Sequence, residues 1–312
     1  MASTRLSPVE KIGYGLGDFG SNVVFQTIII LLPSFYTDVF GLAPAAMATM
    51  FLAVRLLDTI TDPIMGVIAD NTNTRWGKFR PYLLWFSIPF AVVFVLTYWT
   101  PDLAGNAKLL YAYGTYTVLM LLYTVVNIPY CALGGVITSD SQERVSANSY
   151  RFFLATSAGV LITFFGPTLI SYFGNGDDKV GYPWAMAAFS ILAVLAFFGC
   201  FALTKERVVE AQPAKGAFWS DVGTLVKNDQ WMIVAMLGLV SLIAIVLRAG
   251  TAAYYIKWVV GRPDLTAQFL TAGTFAAMMG AAFAAPLTAK FDKGPSYAML
   301  QVVIVIGSIG IY

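Results

Sequence analysis

Histidine is absent from all 312 residues, cysteine occurs twice, and charged side chains make up only 12% of the chain. Each scarcity removes a class of function. Without imidazole, histidine-ligated haem, di-iron clusters and His-containing zinc sites are excluded, and most membrane redox enzymes go with them. Cys131 and Cys200 stand far apart in apolar runs with no Cys-x-x-Cys spacing, where free cysteine behaves as a small inert hydrophobe. A net charge of +2 gives no basis for a nucleic-acid partner, and none is expected. The first eighteen residues are mixed and polar, with no apolar core ahead of a small-residue cleavage site, so no removable signal peptide is visible.

What the chain has in abundance is apolar length. Hydrophobic residues make up 58% and the mean hydropathy is +0.72, against roughly 45–50% apolar in an ordinary soluble domain. Runs of about 20 apolar residues recur from Phe19 onward, the length at which a helix crosses a bilayer with its backbone satisfied internally. A β-barrel would instead need alternating segments of about ten residues. The reading is an all-α integral membrane protein whose partner is the lipid bilayer.

Gly, Pro and charge punctuation puts helices near 19–38, 46–69, 81–100, 108–136, 147–173 and 183–204. Residues 205–229 then carry eight charged residues, a Pro and two Gly, and read as a soluble linker with one amphipathic turn. Further spans are expected near 231–257 and 265–290, and a ninth begins near Ser296, unfinished at Tyr312. The expected division is an N-terminal six-helix half over 1–204, a cytoplasmic linker over 205–229, and a truncated C-terminal half over 230–312. Six helices, a long linker and more helices is the layout of transporters built from two six-helix halves, so twelve helices are expected with this chain ending in about the ninth. An echo supports it: "GVIADNTNTRWGKFRPYLL" follows the second helix and "PLTAKFDKGPSYAML" the eighth, each with an acidic residue (Asp70, Asp292) before a basic one (Lys78, Lys293) and a Pro.

Lys and Arg counts orient the spans. The N-terminus and the loops on its side hold Arg5, Lys11, Arg75, Lys78, Arg80, Arg144, Lys205, Arg207, Lys215, Lys227, Lys290 and Lys293, against Lys108, Lys179, Lys257 and Arg262 opposite. The richer side, with the N-terminus and the linker, is expected in the cytoplasm.

Charges inside the second span define the candidate site. Arg55, Asp58 and Asp62 follow i, i+3, i+7 spacing and share an arc of about 60° on one helix face. Each would cost roughly 2.5–3.5 kcal/mol near the bilayer centre, so the face is expected to look into the protein. Arg55 can neutralise one carboxylate, and two bare carboxylates one turn apart repel in low dielectric. One therefore needs a cation, either a proton or a metal ion such as Na⁺ held by carboxylate oxygens and the neighbouring hydroxyls of Thr59 and Thr61. A buried Arg–Asp pair that only fixes helix packing is the structural alternative. Other polar groups within the spans are Asp18, Ser21 and Asn22, then Tyr123, Thr124 and Asn127, and finally Arg151 and Arg248. "NIP", Asn127 to Pro129, breaks a transmembrane hydrogen-bond ladder, a feature favoured at binding sites. Any one of these groups could instead make an interhelical hydrogen bond.

"KIGYGLGDFGSN", "RLLDTITDPIMGVIAD", "RWGKFRPYLL", "LLYTVVNIPYCAL" and "YRFFLATSAG" resemble, in order and spacing, the motifs of the glycoside–pentoside–hexuronide:cation symporters of the major facilitator superfamily. The resemblance covers the first half most fully and stays in register beyond the linker. It implies the major facilitator fold and coupled sugar or glycoside transport with H⁺ or Na⁺ across the cytoplasmic (inner) membrane, with no cofactor. Asp58 and Asp62 fall on the family's cation-binding carboxylates, Thr124 on a contributing hydroxyl, and Thr61 on a position that affects ion choice. Arg151 falls on a sugar-contacting arginine. Asn22 and Asn127 stand where melibiose-transporting members carry sugar-binding aspartates, and Cys131 replaces a tryptophan, so the resemblance does not by itself imply galactoside specificity. A lysine that the family bears on a later helix is not among these residues. Asp18 and Tyr123 join the expected substrate set. Arg55, Asp70, Arg75, Lys78 and Arg80 are expected in structural or cytoplasmic gate roles, with topology anchoring as the alternative for the loop charges. The competing function is a passive carrier for the same or another small polar solute (uronide, sulfosugar or lipid) without cation coupling; a membrane enzyme or scaffold is disfavoured, because no nucleophile–base pair or metal box stands out.

Overall fold

The computed structural model describes residues 5–208, 223–224, 227–262, 266–291 and 293–311. Among these residues every regular element is helical. They fall into two compact units, Met1–Glu210 with Met278–Tyr312, and Ala211–Ala277. The amphipathic turn expected in the linker lies outside the described residues, as does Asp292 of the echo.

In the first unit, α1 runs Pro8–Ile30 and is followed by a short α2, Leu32–Ser34, and a π turn, Phe35–Val39. Together they form one apolar span bent by 46°, the break falling beside Pro33. Then come α3 (Pro44–Asn71), α4 (Arg80–Trp85), α5 (Ser87–Thr97), α6 (Gly105–Val136), α7 (Ser141–Gly174) and α8 (Asp178–Leu203). The third expected span is thus two helices: Pro89 cannot donate to the Trp85 carbonyl, and the chain turns at Phe86 between them. Among the described residues four helices are by length and composition able to cross a membrane, five with the bent first span. At about 1.5 Å per residue the 28 residues of α3 are also long enough. The second unit contains α9 (Asp229–Tyr254) and a π turn, Tyr255–Val259; beyond them α10 spans Thr266–Lys290 and α11 Lys293–Ile311.

The first helix departs most from its expected bounds. It starts at Pro8 rather than near residue 19, because Ser7 and Glu10 form a reciprocal capping box and Pro8 supplies the first helical residue. The glycines that read as polar punctuation are its packing face. A Cβ on Gly17 would sit 2.3 Å from the Tyr130 ring, so only glycine admits α6 there. The helix packs mainly against α7 and α8, while α3 packs on α6 and α5 lies against both α6 and α8. α7 and α8 are capped by Asp140 and Asp177, and the turn between them passes through Asn175 in the left-handed region at φ 46°. An aromatic cluster of Phe35, Tyr36, Phe40, Phe94, Tyr98 and Tyr182 fills the core at one end of this bundle.

Candidate functional site

α3 brings its acidic pair to α6. Thr124 Oγ1 on α6 donates to Asp62 Oδ1 at 2.8 Å, and Arg55 Nη1 lies 3.4 Å from Asp58 Oδ2. Asp58 is buried, and its Oδ1 and the Thr61 hydroxyl are buried oxygens without a hydrogen-bond partner. Pro63 removes the N–H that would otherwise bond the Thr59 carbonyl, one residue after Asp62. The site thus gathers carboxylate and hydroxyl oxygens from α3 and α6, a donor set suited to a proton or a hard cation, while Thr59 is exposed and donates to the Arg55 carbonyl. The Arg55 side chain is 51% exposed among the described residues, with the guanidinium 5.7 Å from the Phe25 ring centre. A long arginine stem lets the charge reach Asp58 from there.

A second polar cluster joins α1, α6 and α7. Arg151 Nε on α7 meets Asp18 Oδ2 on α1 at 2.8 Å, and Asn22 Nδ2 bonds Asp18 Oδ1 at 3.2 Å and the Asp18 carbonyl at 2.9 Å. The Arg151 guanidinium lies 5.3 Å from the Tyr130 ring and reaches Tyr14 Oη at 3.5 Å and Cys131 Sγ at 3.6 Å. Tyr130 in turn stacks on Tyr14 and donates its hydroxyl to the Tyr14 carbonyl. Along α6, Tyr123, Asn127 and Cys131 are spaced i, i+4, i+8 and share the face that meets Arg151, while Thr124 serves the acidic pair.

These clusters are joined through aromatic rings. Phe25 on α1 lies under the Arg55 guanidinium and stacks on Tyr123 at 5.6 Å between centroids. A chain of contacts therefore runs from Asp58 through Arg55 and Phe25 to Tyr123.

The charged loop after α3 is organised by a residue the sequence reading left in the linker. The Glu206 carboxylate accepts the backbone N–H groups of Lys78 at 2.8 Å, Phe79 at 2.8 Å and Arg80 at 3.0 Å. Gly77 is obligatory beneath it, at φ +112° and with a Cβ position 2.4 Å from that carboxylate. Arg80 donates to the Phe201 carbonyl and lies over the Phe201 ring at 4.7 Å, Arg75 stacks on Trp76 at 4.3 Å, and Asp70 is half-buried and engaged at the end of α3. Close by in sequence, Arg207 pairs with Glu10, and Lys11 pairs with Glu143 at 2.9 Å. Of the expected gate residues, then, Lys78 and Arg80 meet Glu206 through their backbone N–H groups, while the Arg75 side chain contacts its own neighbour. Arg248 lies among side chains that are not described.

Glu206, Tyr14 and Tyr130 were absent from the sequence-predicted set. The isolated carboxylate of "TKER" gives no signal at a separation of 128 residues from Lys78, and neither tyrosine carries a charge that would mark it within its apolar span. Gly17, whose missing side chain admits the Tyr130 ring, was the available clue.

Comparison with known proteins adds an independent line. A family model described as MFS/sugar transport protein matches residues 13–312. The chain is 46% identical over 288 residues to the inner membrane symporter YicJ of Escherichia coli strain K12, covering 92% of this chain and 62% of that one. It is 43% identical over 300 residues to the putative glycoside/cation symporter YagG of the same organism, covering 96% and 65%. It is also 34% identical over 304 residues to an isoprimeverose transporter of Lactiplantibacillus pentosus, covering 96% and 63%. The chain spans less than two thirds of the length of these relatives.

Proposed function

The chain belongs to the MFS/sugar transport protein family, and within it to the glycoside–pentoside–hexuronide:cation symporters, and from that premise we propose that it carries out cation-coupled uptake of a sugar or glycoside by alternating access across the inner membrane. The observation that carries the coupling is the acidic pair of α3, with Asp62 held by Thr124 and a buried Asp58 oxygen left unpartnered beside it. A buried unpartnered carboxylate oxygen is costly, and a proton or Na⁺ relieves that cost.

In the proposed cycle the cation binds at Asp58 and Asp62, with Thr61 and Thr124 as hydroxyl ligands, and a neutral α3 packs more readily against its neighbours. Asn22, Asn127, Tyr123 and Arg151 then order around the sugar hydroxyls, with amide groups that both donate and accept. The two six-helix halves of a twelve-helix transporter rock about the central site and open it inward. The N-terminus and the linker lie in the cytoplasm in this scheme, and the Glu206-bound loop acts at the inner gate. Linkage requires that the cation raise sugar affinity by the same factor that sugar raises cation affinity. The Arg55–Phe25–Tyr123 contacts offer a physical route for that coupling.

The test is uptake of labelled glycosides and pentosides into vesicles bearing the full-length protein, with Na⁺ and pH gradients imposed separately. Accumulation of one sugar above its external concentration under one gradient is the expected result. Equilibration without accumulation under both gradients overturns coupled transport in favour of a passive carrier.

A further inference from the structure

We propose that Asp18 sets the charge preference of the sugar site: by neutralising Arg151 it makes this site select neutral glycosides and pentosides over sugars that carry a carboxylate. The inference deepens the sugar-transport reading and rests on it.

Asp18 is 7% exposed, and both of its carboxylate oxygens are engaged by protein donors, Oδ2 by Arg151 Nε at 2.8 Å and Oδ1 by Asn22 Nδ2 at 3.2 Å. Its carboxylate is therefore committed to holding Arg151 rather than turned toward a ligand. Arg151 is held at Nε by a short charge-assisted bond, while among the described residues its two Nη atoms meet weaker acceptors, Tyr14 Oη at 3.5 Å and Cys131 Sγ at 3.6 Å. Cys131 is exposed, so those Nη donors lie next to an open position on α6. The Tyr130 and Phe152 rings, 5.3 and 5.5 Å from the guanidinium carbon, limit where it can swing.

The result is a donor pair whose charge is already compensated. A hydroxyl oxygen accepts from such N–H groups and brings no charge that needs balancing. A carboxylate accepting at the same atoms comes close to the Asp18 carboxylate, in surroundings where like charges are poorly screened. The neighbouring side chains Asn22, Asn127 and Tyr123 are amides and a phenol without formal charge, so among the described residues of this cluster the balance is set by Asp18 and Arg151. Asp18 is thus a positioning residue that acts through Arg151.

Methyl xyloside, glucoside and glucuronide share their ring hydroxyls and differ only in the group on C5, and arabinoside, galactoside and galacturonide form the matching galacto series. Competition among them for gradient-driven uptake by the full-length protein reads charge selection directly. In the wild type the neutral members are expected to accumulate and the uronides to compete poorly. In Asp18→Asn, the uronide-to-glycoside preference is expected to rise about tenfold, the scale of one freed charge-assisted interaction. Asp18→Glu, which restores the carboxylate, is expected to return toward the wild-type preference. A wild type that prefers uronides overturns the inference while leaving coupled sugar transport standing, and so does an unchanged preference in membrane-inserted Asp18→Asn. If that variant fails to insert, the wild-type preference alone decides. A wild type that accumulates no member of either series under either gradient overturns the transport reading and the inference with it.

Discussion

Thr124 on α6 donates its hydroxyl to Asp62 Oδ1 on α3 across 2.8 Å, so one oxygen of the acidic pair is fixed by a neighbouring helix. The same hydroxyl oxygen can turn its lone pairs to a cation once the carboxylate is engaged. Thr124→Val keeps the shape and deletes both abilities. It is expected to raise the cation concentration needed for half-maximal uptake by about tenfold or more, in line with a lost hydrogen bond to a charged group, while Thr124→Ser stays near wild type. The readout is uptake rate against cation concentration, and an unshifted curve in Thr124→Val argues against a hydroxyl ligand.

Phe25 and Tyr123 stand between the acidic pair and the sugar cluster. Spatial intermediacy alone does not prove coupling, so the prediction is energetic. Typical coupling free energies are about 1–3 kcal/mol. Phe25→Leu and Tyr123→Leu are each expected to shrink the ratio of sugar affinities with and without cation, and the double variant should do little more than either alone. Independent, additive losses in binding measurements would place the coupling elsewhere.

The polar faces were readable in sequence because an apolar helix has few acceptable places for charge: Arg55, Asp58 and Asp62 share one arc, and Asp58 is indeed buried. Their partners were harder to see. Thr124 was legible as a polar group within its span but its tie to the acidic pair came only with the family resemblance, and the Arg151–Asp18 pair joins residues 133 apart in sequence. The start of α1 was misread because glycine weakens an isolated helix, whereas here glycine is what lets α6 approach at Gly17. For Arg55, spacing gives the side chain's direction but not how far its long stem extends, and that stem carries the guanidinium over the Phe25 ring.

Glu206 gives the clearest stability prediction. Its carboxylate satisfies the N–H groups of Lys78, Phe79 and Arg80 at the start of α4, which are left without that acceptor in Glu206→Ala. The cost is expected at about 1–3 kcal/mol, seen as a lower midpoint of thermal unfolding in detergent. Gly77→Ala attacks the same contact from the other side, through both the +112° φ and the 2.4 Å clash, and the two losses should be far from additive. Unchanged midpoints in both variants would remove Glu206 from the loop's support.

Gly17→Ala tests the sugar cluster without altering a polar group. Its new methyl would have to displace the Tyr130 ring that lies beside Arg151. The expected effect is weaker sugar binding with an unshifted cation dependence, measured by equilibrium binding in membranes. A shift confined to the cation curve would contradict the division of labour between the two clusters.

The most direct test of the central claim compares wild type and Asp62→Asn for net accumulation of the transported sugar in vesicles under an imposed cation gradient, and for exchange of the same sugar without one. The account predicts accumulation only in the wild type, with sugar exchange retained in the variant. Equal accumulation by both proteins would contradict it and reduce Asp58 and Asp62 to packing partners.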